Sequence, residues 1–211
     1  MQDVGRLPSW APMKPPMKVS RRILIIDAHP DPDPDHLIHA LADASTLGAR
    51  RAGHKVRRVN VADMTFPILR SNRAWRDQNV PQDIRHSQDA IKWANHLILL
   101  YPLWLGDVPA LLKAFLEQVL RPGFALRKEA SPGDAGLLGG RSARLIVTMG
   151  MPAQVYRLYF GAHSLKSLER NVLGFVGIHP IRRTLIGSVD NSAGQPEKWI
   201  KLAEKLGAAG N

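Results

Sequence analysis

The chain has 211 residues, 45% hydrophobic and 22% charged, the proportions of an ordinary globular domain with room for a real core. It contains no cysteine, which excludes disulfides, thiolate metal sites and a cysteine nucleophile and suits a reducing, cytoplasmic setting. No apolar run reaches the roughly 18 residues of a membrane span. The net charge of +11 draws anions, yet the arginines are dispersed as pairs such as Arg57/Arg58 and Arg182/Arg183. With no basic recognition helix and no aromatic stacking stripe, nucleic acid is not the expected partner.

Residues 1–20 are proline-rich, lack the apolar stretch of a secretory signal, and read as a flexible tail. Met13 and Met17 are alternative starts, because the folded pattern begins at Arg21 and one domain runs over 21–211. The run Arg22–Ala28 is continuously apolar and ends in His29-Pro30, as a central parallel strand buried on both faces does. After the polar loop Asp31–Asp35, one of whose aspartates is expected to cap the next helix, Leu37, Ala40, Leu41, Ala44 and Leu47 trace a helical face that Gly53 closes. Val56–Val61 alternates like a more exposed strand, residues 63–82 are irregular, and Ile84–Asn95 carries a helix with Ile84, Ala90, Ile91 and Ala94 inward.

The most informative stretch follows. The buried-type strand 96–101 stops at Pro102, and a loop with Trp104 and Gly106 leads to a helix over 107–120. Asp107 is its expected N-cap, with Pro109 in the first turn and Val108, Leu111, Leu112, Phe115, Leu116 and Val119 on one face. Residues 121–140 form a loop rich in glycine and proline, Ala143–Thr148 is a fourth strand, and Met149-Gly150-Met151-Pro152 is a second loop that allows close approach to backbone. A helix around Leu165–Phe175, a strand near Arg182–Ile186 and a helix near Glu197–Leu206 close the chain. Strands alternating with helices predict an α/β three-layer sandwich, flavodoxin-like, with a five-stranded parallel sheet in the order 2-1-3-4-5.

In that order the loops after strands one, three and four gather at the switch point where open α/β sheets bind ligands. Trp104 and Leu105 on such a loop suit a flat apolar ligand, although a plug for the core has the same spacing. His29 at the strand end can donate to a phosphate at the following helix N-terminus, whereas the nearby aspartates repel one. Tyr156 and His163 offer a phenol and an imidazole for stabilising an anion and moving a proton; packing residues look the same in sequence.

These residues resemble the flavodoxin-like NAD(P)H:quinone oxidoreductase family, including the ancillary oxidoreductases of bacterial potassium-efflux systems. The likeness runs over about 21–207 and rests on Ile23–Pro30, Tyr101–Lys113 and Arg121–Ala125. It implies a homodimer with FMN or FAD near the subunit interface, and NAD(P)H as the hydride donor to a quinone-like acceptor. By position, His29 matches the histidine at the flavin phosphate. Pro102, Leu103, Trp104, Leu105 and Gly106 match the loop at the ring edge, whose N–H groups meet flavin N5 and O4. Thr148, Met149, Gly150 and Met151 match the second flavin loop, and Tyr156 and His163, with a one-residue insertion, match a tyrosine–histidine pair that balances charge in hydride transfer. Two departures stand out: Asp35-His36-Leu37-Ile38 replaces Ser-x-x-Asn, and Thr-Met-Gly-Met replaces Thr-Thr-Gly-Gly.

Two other functions share parts of this pattern. A regulatory module of the same fold would dock peripherally on a membrane transporter with little turnover. Ala28–Asp31 is also similar to the metal-binding strand end of zinc-dependent N-acetylglucosaminyl deacetylases. Pro32 breaks their consecutive acidic residues, however, and the expectation is that no metal is bound.

Overall fold

The computed structural model describes residues 19–129, 136–190 and 196–211. Apart from Val19 and Ser20, the expected tail lies outside the described residues. Five strands, β1 (Arg22–Asp27), β2 (Lys55–Asn60), β3 (His96–Pro102), β4 (Ser142–Thr148) and β5 (Ile181–Ile186), pair in parallel in the order β2-β1-β3-β4-β5. The predicted flavodoxin-like sheet is therefore the observed one. Alternation along the buried strands feeds two cores. Leu24, Ile26, Leu97, Leu99, Tyr101, Leu145 and Val147 face one layer, and Ile23, Ile25, Ile98, Leu100 and Ile146 the other.

The first layer holds α3 (Gln82–Trp93) and α4 (Ala110–Val119), with the short α2 (Asn72–Arg76) outside them. The chain then passes through α5 (Ala153–Leu158) and α6 (His163–Ser167) into a π-helical stretch, Leu168–Gly174. The second layer is α1 (Leu37–Arg51) packed on α7 (Pro196–Ala209). Ile84, Ala90, Ile91 and Ala94 are buried as expected.

Three local expectations are corrected. The apolar face of α1 is rotated from the predicted one. Leu47 is exposed, while Ser45, Gly48 and Ala49 are buried. A Cβ on Gly48 would sit 1.9 Å from the Glu204 carbonyl oxygen, and one on Gly207 would sit 2.0 Å from that of Ser45. Two glycines thus let α1 and α7 meet backbone to backbone, which an apolar-periodicity reading does not register. At the head of α1 the N-cap is His36, and no aspartate caps it. Its end does follow the glycine rule: Gly53 (φ +82) donates to Arg50 O and His54 N donates to Ala49 O.

The third correction concerns Asp107, which caps no helix. Trp104 N donates to Asp107 O and Asp107 N to Trp104 O, both at 2.9 Å, closing a two-residue hairpin. Its central residues, Leu105 (φ 47) and Gly106 (φ 77), are both left-handed, the pattern of a type I′ turn. Pro109 holds Val108 out of helical geometry, so α4 starts at Ala110 with Pro109 as N-cap.

Candidate functional site

Parallel pairing brings the ends of β1, β3 and β4 to one edge, with Asp27 level with Leu100 and Pro102 level with Thr148. The loops leaving that edge enclose a cavity of about 550 Å³. From the β1 loop and α1 come His29, Asp31, Asp35, His36, Leu37 and Ile38. Pro102, Leu103 and Trp104 come from the β3 loop, and Thr148, Met149 and Gly150 from the β4 loop. The far wall is Val189, Asp190, Pro196 and Trp199, which the sequence reading missed because α7 looked like a plain closing helix.

Nine expected site residues thus line one space, and five do not. Leu105 projects fully into solvent and borders a neighbouring groove of about 470 Å³ between the Trp104 hairpin, α4 and the π-helical stretch. Gly106 and Met151 lie outside the cavity lining. Tyr156 is buried, and its hydroxyl lies 2.8 Å from Ser164 Oγ and accepts from Leu165 N. Ser164 in turn donates to Gly106 O at 2.6 Å, so Tyr156 braces the hairpin from behind. His163 is exposed at the start of α6, its ring over Gly161, and neither it nor Tyr156 lines the cavity.

The loop N–H groups are also partly taken. Leu103 N donates to Thr148 O at 2.7 Å, and Trp104 N is held in the hairpin. Among the described residues no protein acceptor takes the N–H groups of Leu105, Gly106, Gly150 or Met151.

At the α1 end a polar cluster stands behind the wall. Asp27, buried at the end of β1, accepts from Arg58 Nη2 and His39 Nδ1, each at 2.7 Å, and from His29 N at 3.3 Å. His29 stacks on His36 with ring centroids 3.9 Å apart and meets Trp104 edge-on at 5.9 Å. His36 Nε2 lies 3.1 Å from Asp31 Oδ2, without hydrogen-bond alignment. Burial holds the His29 imidazole below its ordinary value, against its contact with the Asp31 carbonyl. Burial also pulls on His39, but the Asp27 carboxylate and the Asp31 carbonyl outweigh it, and its affinity for a proton is raised. Asp27, His39 and Arg58 come from β1, α1 and β2, and only the folded register joins them; their residue types were the available signal. Among the described residues, no group of three or more His, Asp or Glu is placed to hold a metal ion.

Residues 21–208 match the family described as a flavodoxin-like fold. This chain belongs to that family. An uncharacterised NAD(P)H oxidoreductase of Haemophilus influenzae is 29% identical over 170 residues, 79% of this chain and 83% of the relative. An FMN-dependent NADH:quinone oxidoreductase of Jannaschia is 29% identical over 133 residues, 57% of this chain and 67% of the relative. The NAD(P)H:quinone oxidoreductase of Methanothermobacter marburgensis has the same fold, with a TM-score of 0.73 at 21% identity over 90% of this chain and 96% of that one. With several other curated relatives the match spans less than half of their length, down to 38%. These relatives bear the names of NAD(P)H oxidoreductases and quinone oxidoreductases, the group that the sequence motifs resemble. Among the described residues, no helix is long and apolar enough to cross a membrane.

Proposed function

We propose that the protein is a flavin-dependent NAD(P)H oxidoreductase acting on a quinone-like acceptor, with FMN or FAD in the cavity. The observation that carries this reading is the meeting of three loops around one space, with an apolar wall on one side and a helix N-terminus on the other. A flavin is planar and apolar at one end and anionic at the other; the apolar wall suits the ring, and the helix N-terminus offers the phosphate N–H donors. Trp104, Leu103 and Met149 offer apolar surface to a ring. The His36 side chain does not cap α1, and among the described residues no acceptor takes the N–H groups of Leu37 and Ile38, which are available to an anion. When bound, a flavin supplies two-electron chemistry, taking hydride from a nicotinamide and passing it to the acceptor.

The chain's own residues then have distinct tasks. The N–H of Gly150 is the available donor on the cavity wall toward a ring edge, since the donors at Leu103 and Trp104 are already engaged. Tyr156 acts as a positioning residue, holding the Trp104 hairpin through Ser164. Exposed Leu105, Tyr159, Phe160 and Phe175 are apolar surface that a second copy would cover in a homodimer.

The test is an absorption spectrum of purified protein after addition and removal of excess FMN or FAD, followed by NAD(P)H oxidation with a soluble quinone. Retained flavin absorbance and quinone-dependent turnover are expected. Protein that retains neither flavin refutes the reading; retained flavin with no turnover leaves a flavin-binding module of the same fold.

A further inference from the structure

The cavity is acidic in a strongly basic protein. Its described lining has the carboxylates of Asp31, Asp35 and Asp190 and neither lysine nor arginine, although the chain carries a net charge of +11. A phosphate brought to that wall meets like charge. Arg58, the arginine of the nearby cluster, is turned to the carboxylates of Asp27 and Asp43.

His39 stands where this conflict is settled. Its Nδ1 lies 2.7 Å from Asp27 Oδ2, and its Nε2 lies 2.9 Å from the carbonyl oxygen of Asp31. Both oxygens are acceptors. A neutral imidazole has one N–H and would set its lone pair against one of them; only an imidazolium donates to both. We propose that His39 is held as an imidazolium behind the His29–His36 wall, and that this proton lets an otherwise acidic cavity accept the phosphate of its flavin. The inference rests on the flavin reading above and assigns His39 as a positioning residue, since it does not line the cavity.

The groups facing His39 agree with that charge on balance. Asp27 from β1 and the Asp31 carbonyl favour it, while Arg58 from β2 opposes it with its own charge partly answered by Asp43. The His29 and His36 rings lie 5.4 and 6.0 Å away. Burial disfavours a second proton on His29, so the positive charge sits one layer behind the surface that meets the ligand. The charge therefore acts through the wall, on both histidines that line it.

The experiment compares FMN with riboflavin, which lacks the phosphate. Dissociation constants are measured by flavin fluorescence quenching from pH 7 to 8.5, above the second phosphate ionisation near ~6. Riboflavin affinity stays flat, and FMN affinity falls by up to about tenfold per pH unit as one proton is lost. His39→Gln binds FMN weakly with no such slope. His39→Lys, with a permanent charge, restores tight FMN binding and also lacks the slope. Equal pH dependence for both flavins overturns the proposal and leaves the flavin site standing; binding of neither flavin removes both. Independently of any ligand, the His39 ring, assigned in NMR spectra by its loss in His39→Gln, is protonated at pH 7; a neutral ring overturns the proposal.

Discussion

His96 opens β3, the strand whose other end carries the Trp104 hairpin, and it is completely buried. Its Nδ1 is 2.8 Å from Ser142 Oγ, and its Nε2 has no partner among the described residues. Burial first, then the charges of Arg21, Arg144 and Arg182 and of His54, push its pKa from 6.5 to about 4. The folded value is depressed, so the unfolded chain takes up the proton first. Stability is whole above about pH 6.5 and is lost as pH falls toward 4. At ~1.4 kcal/mol per unit, that interval corresponds to roughly 3 kcal/mol. Other groups titrate over the same range, so the comparison is with His96→Gln. Urea unfolding of both proteins at pH 7.5, 6, 5 and 4.5 should show the wild type losing roughly 3 kcal/mol more than the variant on acidification. Parallel losses would refute the reasoning, because the pH dependence would then arise elsewhere.

Gly207→Ala forces a methyl group into the Ser45 carbonyl, and α7 must move off α1. A loss of about 1–3 kcal/mol is expected in thermal or urea unfolding, with Gly48→Ala behaving alike. Trp104→Ala removes an aromatic wall of the cavity and should weaken flavin binding by several-fold to about tenfold in a quenching titration. Tyr156→Phe leaves Ser164 and Leu165 N without their hydroxyl partner and should cost about 1–2 kcal/mol of stability, with flavin affinity falling less than in Trp104→Ala.

The sheet was legible because β1, β3 and β4 are short apolar runs buried on both faces, and their loops carry residues that a core alone does not require. Position along such strands was enough to place His29, Trp104 and Gly150 at one edge. Three features were not legible. Gly48 and Ser45 look like breaks in an apolar stripe, and only the docking of α7 makes them buried. Asp107 followed by Pro109 has the composition of a helix start, yet two left-handed residues before it fold the chain into a hairpin whose bonds engage that aspartate. The Asp27–His39–Arg58 cluster joins three elements across the β1–β2 register, a long-range pairing that local spacing does not encode. Tyr156 illustrates the converse. Its place in the family pattern suggested chemistry, whereas its hydroxyl is enclosed and supports a turn.

The glycine contact between α1 and α7 also bears on how a ligand comes and goes. Leu37 and Ile38 belong to one of these helices and Pro196 and Trp199 to the other. Backbone seated directly on backbone leaves little play, so both sides of that jaw travel as a unit. The opposite side ends in a two-residue turn tipped by an unsupported leucine. Both sides of the mouth are therefore held, one by seated helices and the other by the Tyr156–Ser164 brace behind the turn, so a ligand meets walls already in place.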